Sequence, residues 1–306
     1  MEVTSMSNPE ANLPVRQQPK FSVAITTTGY KNLINNTLGD PERAKRFVAS
    51  ITSAVAVNPA LQECEAGTIL AGALLGESLN LSPSPQLGQF YLVPFKSKAK
   101  YDRQGNLLQP ETVKAQFVLG YKGYIQLAIR SGHYKKLNVL EIKEGELIRF
   151  DPLNEEIECQ IIDDYDAREN APTVGYYAMF EYINGFRKAI YWSKEKMMAH
   201  ADEFSPAYSA SAHKKLDAGE IPDKDRWKYS SFWYKNFDDM AKKTMLRQLI
   251  SRWGIMSTEL QQAFVQDATF AEVGDKNEIV TTPEDQLELA QPEAEDVVAQ
   301  IDLSEL

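Results

Sequence analysis

Tyr176-Tyr177-Ala178-Met179-Phe180-Glu181-Tyr182-Ile183, Asn184-Gly185, Phe186-Arg187-Lys188-Ala189-Ile190-Tyr191-Trp192 is the strongest hairpin signal in the chain. Two runs rich in aromatic residues flank an Asn-Gly pair, the dipeptide that most readily takes the positive φ of a tight reversal. Upstream, Ile157, Cys159 and Ile161 alternate with Glu156, Glu158 and Gln160, the period of a strand with one wet face. The centre of the chain is therefore antiparallel sheet.

Downstream the period changes to that of a helix, expected over 230–253. Trp233, Phe237, Met240, Ala241 and Thr244 share one face, which predicts a core stripe. Lys235, Lys242, Lys243 and Arg247 fall within about 140° on another face, and at ~1.5 Å per residue the helix runs roughly 30 Å. Gly254 stops it. Ser257 then caps a helix expected to reach about residue 271.

Upstream of the sheet, residues 1–27 carry Pro9, Pro14 and Pro19 among polar residues and read as a disordered arm. Asp40-Pro41-Glu42 is a helix start, with Asp as cap and Pro at the first position, and Asn58-Pro59 ends that helix. A second helix of small and apolar residues covers 66–79. A rigid connector through Pro83 and Pro85 leads to a strand over 89–96, a turn near Gly105, a short strand over 115–119, and a helix that begins at Gly120-Tyr121-Lys122-Gly123 and ends before Gly132. Residues 203–222 read as a polar loop.

Charge is distributed unevenly. The formal charge of −10 lies wholly in residues 271–306, where eleven acids face Lys276 alone; residues 1–270 hold 32 bases and 32 acids. Residues 144–186 carry eleven acids against two bases, whereas residues 94–143 carry ten Lys or Arg against Asp102, Glu111 and Glu141. Phe95, Tyr121, Tyr124 and Tyr134 are threaded through the basic segment. Cations that hold phosphates, interleaved with flat rings that stack on bases, are what sequence-tolerant binding of single strands requires. The acidic tail is free to compete for such a groove, to dock a partner, or simply to keep the chain soluble.

Several chemistries find no support. There is no phosphate-binding Gly-x-x-x-x-Gly-Lys-Ser/Thr loop, so no ATP cofactor is expected. Cys64 and Cys159 lie far apart and, with His133, His200 and His213, show no metal-ligand spacing. No apolar run approaches the roughly 20 residues of a membrane span. The N-terminus lacks a signal pattern, which predicts a cytoplasmic protein. One catalytic alternative exists: Glu141-Ile142-Lys143 with Glu111 upstream matches the acid-pair-plus-lysine arrangement of metal-dependent nucleases. Such triplets are common by chance, and a surface strand is the better reading.

Taken together, Leu79-Asn80-Leu81-Ser82-Pro83, Gly88-Gln89-Phe90-Tyr91-Leu92-Val93-Pro94-Phe95, Gly120-Tyr121-Lys122-Gly123, Arg130-Ser131-Gly132-His133-Tyr134 and Met240-Ala241-Lys242-Lys243-Thr244 with Arg247 resemble the RecT family of phage and prophage annealing proteins. The resemblance covers roughly residues 30–270. It implies an α+β fold, a curved antiparallel sheet with a hairpin packed on a long helix, with extra N-terminal helices and disordered termini. An arm over 1–27, a DNA-binding and oligomerisation domain over 28–271, and a tail over 272–306 are expected.

The resemblance also implies ATP-independent annealing of single-stranded DNA in phage recombination, on rings or helical filaments in the bacterial cytoplasm. Its implied partners are a phage 5′→3′ exonuclease and the host single-strand-binding protein. Lys96, Lys98, Lys100, Lys122, Arg130, Lys135, Lys235, Lys242, Lys243 and Arg247 are expected to neutralise phosphates, with Thr244 adding a hydrogen bond. Phe95, Tyr121, Tyr124 and Trp192 are the expected base-stacking rings. A nuclease, or a protein that coats DNA without annealing it, is the alternative.

Overall fold

A computed structural model of the chain describes residues 19–282, apart from 98, 103, 106, 206, 268 and 275–277. The chain begins with four helices, α1 (Phe21–Ala24), α2 (Thr28–Leu38), α3 (Pro41–Ala56) and α4 (Ala66–Ser78). Asp40 opens α3 as expected: its carboxylate accepts from the Glu42 N–H at 2.9 Å, with Pro41 in the first turn. The arm expected over 1–27 gives way to ordered chain earlier, because Phe21, Ala24 and Ile25 are buried. Prolines and polar residues around this short apolar run obscured it; residues 1–18 lie outside the described residues.

Strand β1 (Phe90–Ser97) leads through the small hairpin β2 (Lys100–Tyr101) and β3 (Leu107–Gln109) to β4 (Thr112–Leu119), then to α5 (Tyr121–Arg130) and β5 (Tyr134–Lys143). A second small hairpin, β6 (Leu147–Asp151) and β7 (Glu156–Cys159), and α6 (Tyr165–Asn170) precede β8 (Thr173–Tyr182) and β9 (Arg187–Ser193). The chain continues through α7 (Lys194–Phe204), α8 (Ala210–Asp217), α9 (Phe232–Lys235), α10 (Phe237–Trp253) and α11 (Thr258–Gln266). The described residues finish with β10 (Thr269–Val273) and β11 (Ile279–Thr282).

The strands form two principal antiparallel sheets, ordered β1-β4-β10-β11 and β5-β8-β9, so the fold is α+β. The hairpin signal marks β8 and β9, paired from Gly175–Ser193 to Glu181–Arg187. Its reversal is wider than Asn-Gly implied. Only Gly185 takes a positive φ (+88°), and the Asn184 side chain accepts from the Phe186 N–H at 3.0 Å.

Helix α10 joins two cores. Met240, Ala241, Met245 and Leu249 pack with Tyr176, Ala178 and Phe180 of the β5-β8-β9 sheet. Leu246 and Ile250 reach the other core, built from α1 to α4 and the inner residues of β1 and β4. A helix buried on two sides cannot carry one core stripe and one broad wet face. The expected long helix is also interrupted: Asn236 (φ −136°, ψ 51°) separates α9 from α10.

Three further expectations are revised. The 203–222 loop contains α8, capped by the Ser209 hydroxyl. The helix after Ser257 ends at Gln266, and β10 and β11 then cross the boundary set at 271 and complete the first sheet. Phe270-Ala271 and Ile279-Val280 supply the apolar residues for these strands, and flanking acids concealed them. Residues 283–306, the rest of the expected tail, lie outside the described residues.

Both helix-borne histidines couple this packing to pH. His213 is buried among Tyr208, Tyr234 and Phe237, and burial lowers its pKa more than Asp217, 3.6 Å away, raises it. His200 packs on Trp192 and Phe204; burial lowers it, aided by Lys196 and Arg252 against Glu203. With both folded pKa values below the ordinary 6.5, the unfolded chain binds more protons on acidification, so stability is lost as pH falls. The thermal midpoint should therefore drop between roughly pH 7 and 5.5; a midpoint constant across that window would sink this account of the two histidines.

Candidate nucleic-acid interface

The Gly120-Tyr121-Lys122-Gly123 turn is dictated by packing. The Gly120 N–H donates to Gln89 O at 2.9 Å, and a Cβ at Gly120 or Gly123 would collide with the carbonyl oxygens of Gly88 or Gln89. Only glycine lets α5 start this close to the preceding backbone. The consequence is that Tyr121 and Lys122 emerge side by side above β1.

A cleft opens there, lined chiefly by Tyr91, Val118, Gly120, Tyr121, Phe232 and Met240, with Asn236, Asp239 and Lys243 at its polar side. The Tyr91 and Phe232 rings lie 5.8 Å apart between centroids. Two ammonium groups flank Tyr121, Lys242 Nζ at 4.7 Å and Lys122 Nζ at 5.8 Å from the ring centre. Lys122 and Lys235 are exposed, and among the described residues neither has a carboxylate partner. Lys242 is held by Glu141 and Asp239, each at 2.9 Å. Burial alone would lower the Lys242 pKa, but the two carboxylates outweigh it and keep the ammonium charged.

Behind the cleft lies a buried ionic knot. Asp267, fully buried, follows α11; its Oδ1 accepts from Lys243 Nζ at 2.9 Å and from the Leu119 N–H at 2.8 Å. Its Oδ2 accepts from the Tyr124 hydroxyl at 2.9 Å and from Arg247 Nη1 at 3.1 Å. Burial would lower the Arg247 pKa, but Tyr124 and Asp267 reverse that and raise it. Lys243 is 3% exposed. The basic helix face expected from spacing is thus divided: Lys243 and Arg247 turn inward to Asp267, Lys242 to Glu141, and Lys235 sits on the separate α9.

The RecT family pattern matches residues 45–282, most of the chain. The chain belongs to the RecT family. It is 35% identical over 259 residues to the uncharacterized protein YqaK of Bacillus subtilis, covering 84% of this chain and 76% of YqaK. It is 25% identical over 224 residues to the protein RecT of Escherichia coli, covering 73% and 71% of the two chains. Membership of the RecT family points to a single-strand annealing recombination protein, so single-stranded DNA is the ligand class that it implies. Among the described residues no helix is long and apolar enough to cross a membrane.

The other expected site residues of this RecT family member scatter. Phe95 is buried with its ring edge-on to Phe270, and Tyr124 is fully buried against Phe264. Lys96 is half-buried on β1; Lys98 lies outside the described residues, and Lys100 lies in β2. Arg130, at the far end of α5, donates to Leu79 O at 2.6 Å, and Lys135 pairs with Glu181 at 2.6 Å. Thr244 is half-buried on α10. Trp192 lies on β9, across the second sheet from β5, with Lys196 Nζ 4.4 Å above its ring. Tyr91 and Phe232 went unnoticed: one sits in a strand that reads as core, the other in an aromatic run that reads as helix. In the nuclease alternative, Glu141 is committed to Lys242 and Lys143 Nζ to the Thr173 hydroxyl at 3.1 Å. Among the described residues no group of three His, Cys, Asp or Glu is placed to hold a metal ion.

Proposed function

We propose that this chain holds single-stranded DNA along the cleft at the start of α5 and anneals it to a complementary strand without ATP or another cofactor. The observation that carries the reading is the juxtaposition of Tyr91, Tyr121 and Phe232 with the exposed Lys122 ammonium, with a second exposed lysine, Lys235, on the same short helix as Phe232. Lys122 and Lys235 neutralise phosphates, and the rings stack on bases. Lys243, Arg247 and Tyr124 act from behind by fixing the wall of the cleft. Base edges stay free to test a second strand, and pairing and stacking supply the free energy.

The chain works as a homo-oligomer, a ring or filament, in the cytoplasm of a bacterial host, beside a phage 5′→3′ exonuclease and the host single-strand-binding protein. The test is hybridisation of two complementary oligonucleotides followed by fluorescence without nucleotide, with strand length checked on a gel. Faster hybridisation of intact strands is expected. Binding without acceleration would reduce the protein to a coating module, and shortened strands would favour the nuclease.

A further inference from the structure

Strand β5 has chemically opposite ends. Ten residues at ~3.3 Å each separate them by about 30 Å. At the Tyr134 end, the Tyr134 and Tyr182 hydroxyls hold the backbone of Trp253 and Ile255, Phe186 stacks on Tyr182, and Ile183, next to Tyr182, is 72% exposed, so large apolar side chains gather at this end. Arg252 is exposed beside it, and Lys135 and Lys136 share Glu181, whereas the Arg187 guanidinium reaches back to the Tyr177 hydroxyl at 3.5 Å, in a pocket with Glu155, Glu156 and Glu158. At the Lys143 end, the buried Glu146 carboxylate accepts from Lys143 N–H (2.8 Å), Ile162 N–H (3.1 Å) and Arg168 Nε (2.6 Å), which locks α6 and its lead-in to the sheet. That lock also uses Arg168, the one base of α6. Glu144, Asp163, Asp166 and Glu169 are left exposed around Ile161 and Tyr165 (75% exposed).

We infer that these ends are complementary docking surfaces for a second copy of this chain, the acidic α6 end of one copy seating on the basic apolar end of the next. Each end presents large apolar side chains in a rigid frame, and the charges match across the pair. Because two different surfaces meet at opposite ends of one strand, the contact is head-to-tail and propagates into a ring or filament. The inference rests on the oligomer named in the proposed function and says which surfaces build it.

The test uses the full chain in two charge-reversed forms, Asp163→Lys with Asp166→Lys, and Lys136→Glu with Arg252→Glu. Their sedimentation is followed with and without long single-stranded DNA. Each variant alone is expected to show a several-fold loss of assembled mass, and an equimolar mixture to recover it, since both native and both reversed ends then find partners. Variants that assemble like the wild type, or a mixture that does not recover, would overturn the inference. Binding of an oligonucleotide too short to bridge two copies separates this from the DNA-binding reading: it should be retained by both variants. If the Lys136→Glu, Arg252→Glu variant loses that binding with its assembly intact, the basic end is a DNA contact and the inference falls. A wild type that stays a single chain with DNA present would overturn both the inference and the oligomer.

Discussion

Replacing Asp267 with alanine is expected to lower the unfolding free energy by about 3–5 kcal/mol, the cost of removing one partner from a buried ion pair. Asp267 is fully buried and takes four donors from three elements: Lys243 and Arg247 on α10, Tyr124 on α5, and the Leu119 N–H at the end of β4. Alanine would take the shared carboxylate away from two cations, one of them 3% exposed. It would also free the α11–β10 junction from the helix that joins the two cores. The Asp267→Asn variant would keep acceptor geometry on one side and should lose less. Urea unfolding of the two variants checks the ranking. A loss below about 1 kcal/mol for alanine, the scale of an exposed pair, would show that the knot carries little of the fold.

The second large effect is on binding. Phe232→Ala and Tyr121→Ala should each weaken binding of a short single-stranded oligonucleotide by about 1–3 kcal/mol, roughly 5- to 150-fold in Kd. Both rings line the cleft, and Tyr121 has ammoniums at 4.7 and 5.8 Å from its centre. Trp192→Ala provides the contrast. Its ring lies across the other sheet against His200 and Lys196, so the binding constant should not move. Fluorescence anisotropy of a labelled oligonucleotide reads all three; a loss at Trp192 with none at Tyr121 or Phe232 would relocate the stacking surface.

These contrasts show what the residues alone could and could not convey. The β8–β9 hairpin was legible because aromatic runs around Asn184-Gly185 encode pairing locally, and α3 was legible because Asp40 and Pro41 mark its start. The Gly120-Tyr121-Lys122-Gly123 turn stood out as a motif, although its cause, close approach to Gly88 and Gln89, is a packing fact. Helix α10 misled because a helical wheel assigns one buried face, and this helix serves two cores. Lys243 read as a surface cation because its partner Asp267 lies 24 residues away in a segment that gave no sign of folding back. Strands β10 and β11 were hidden for a similar reason: short apolar pairs among acids read as tail, and the sheet edge that receives them is formed far upstream by β4.

In the proposed function, phosphate contact belongs to the exposed Lys122 and Lys235, while the buried Lys243 and Arg247 of α10 shape the wall of the cleft. This division is tested most directly by the salt dependence of single-strand binding. Each phosphate contact contributes about 0.7 to the slope of log K against log salt for single strands, so Lys122→Ala with Lys235→Ala should lower the slope by roughly 1.4. Lys243→Met, which keeps the buried stem and leaves Asp267 paired with Arg247, should leave the slope unchanged. An unchanged slope in the double variant together with a lowered slope in Lys243→Met would contradict the account and put the strand against α10.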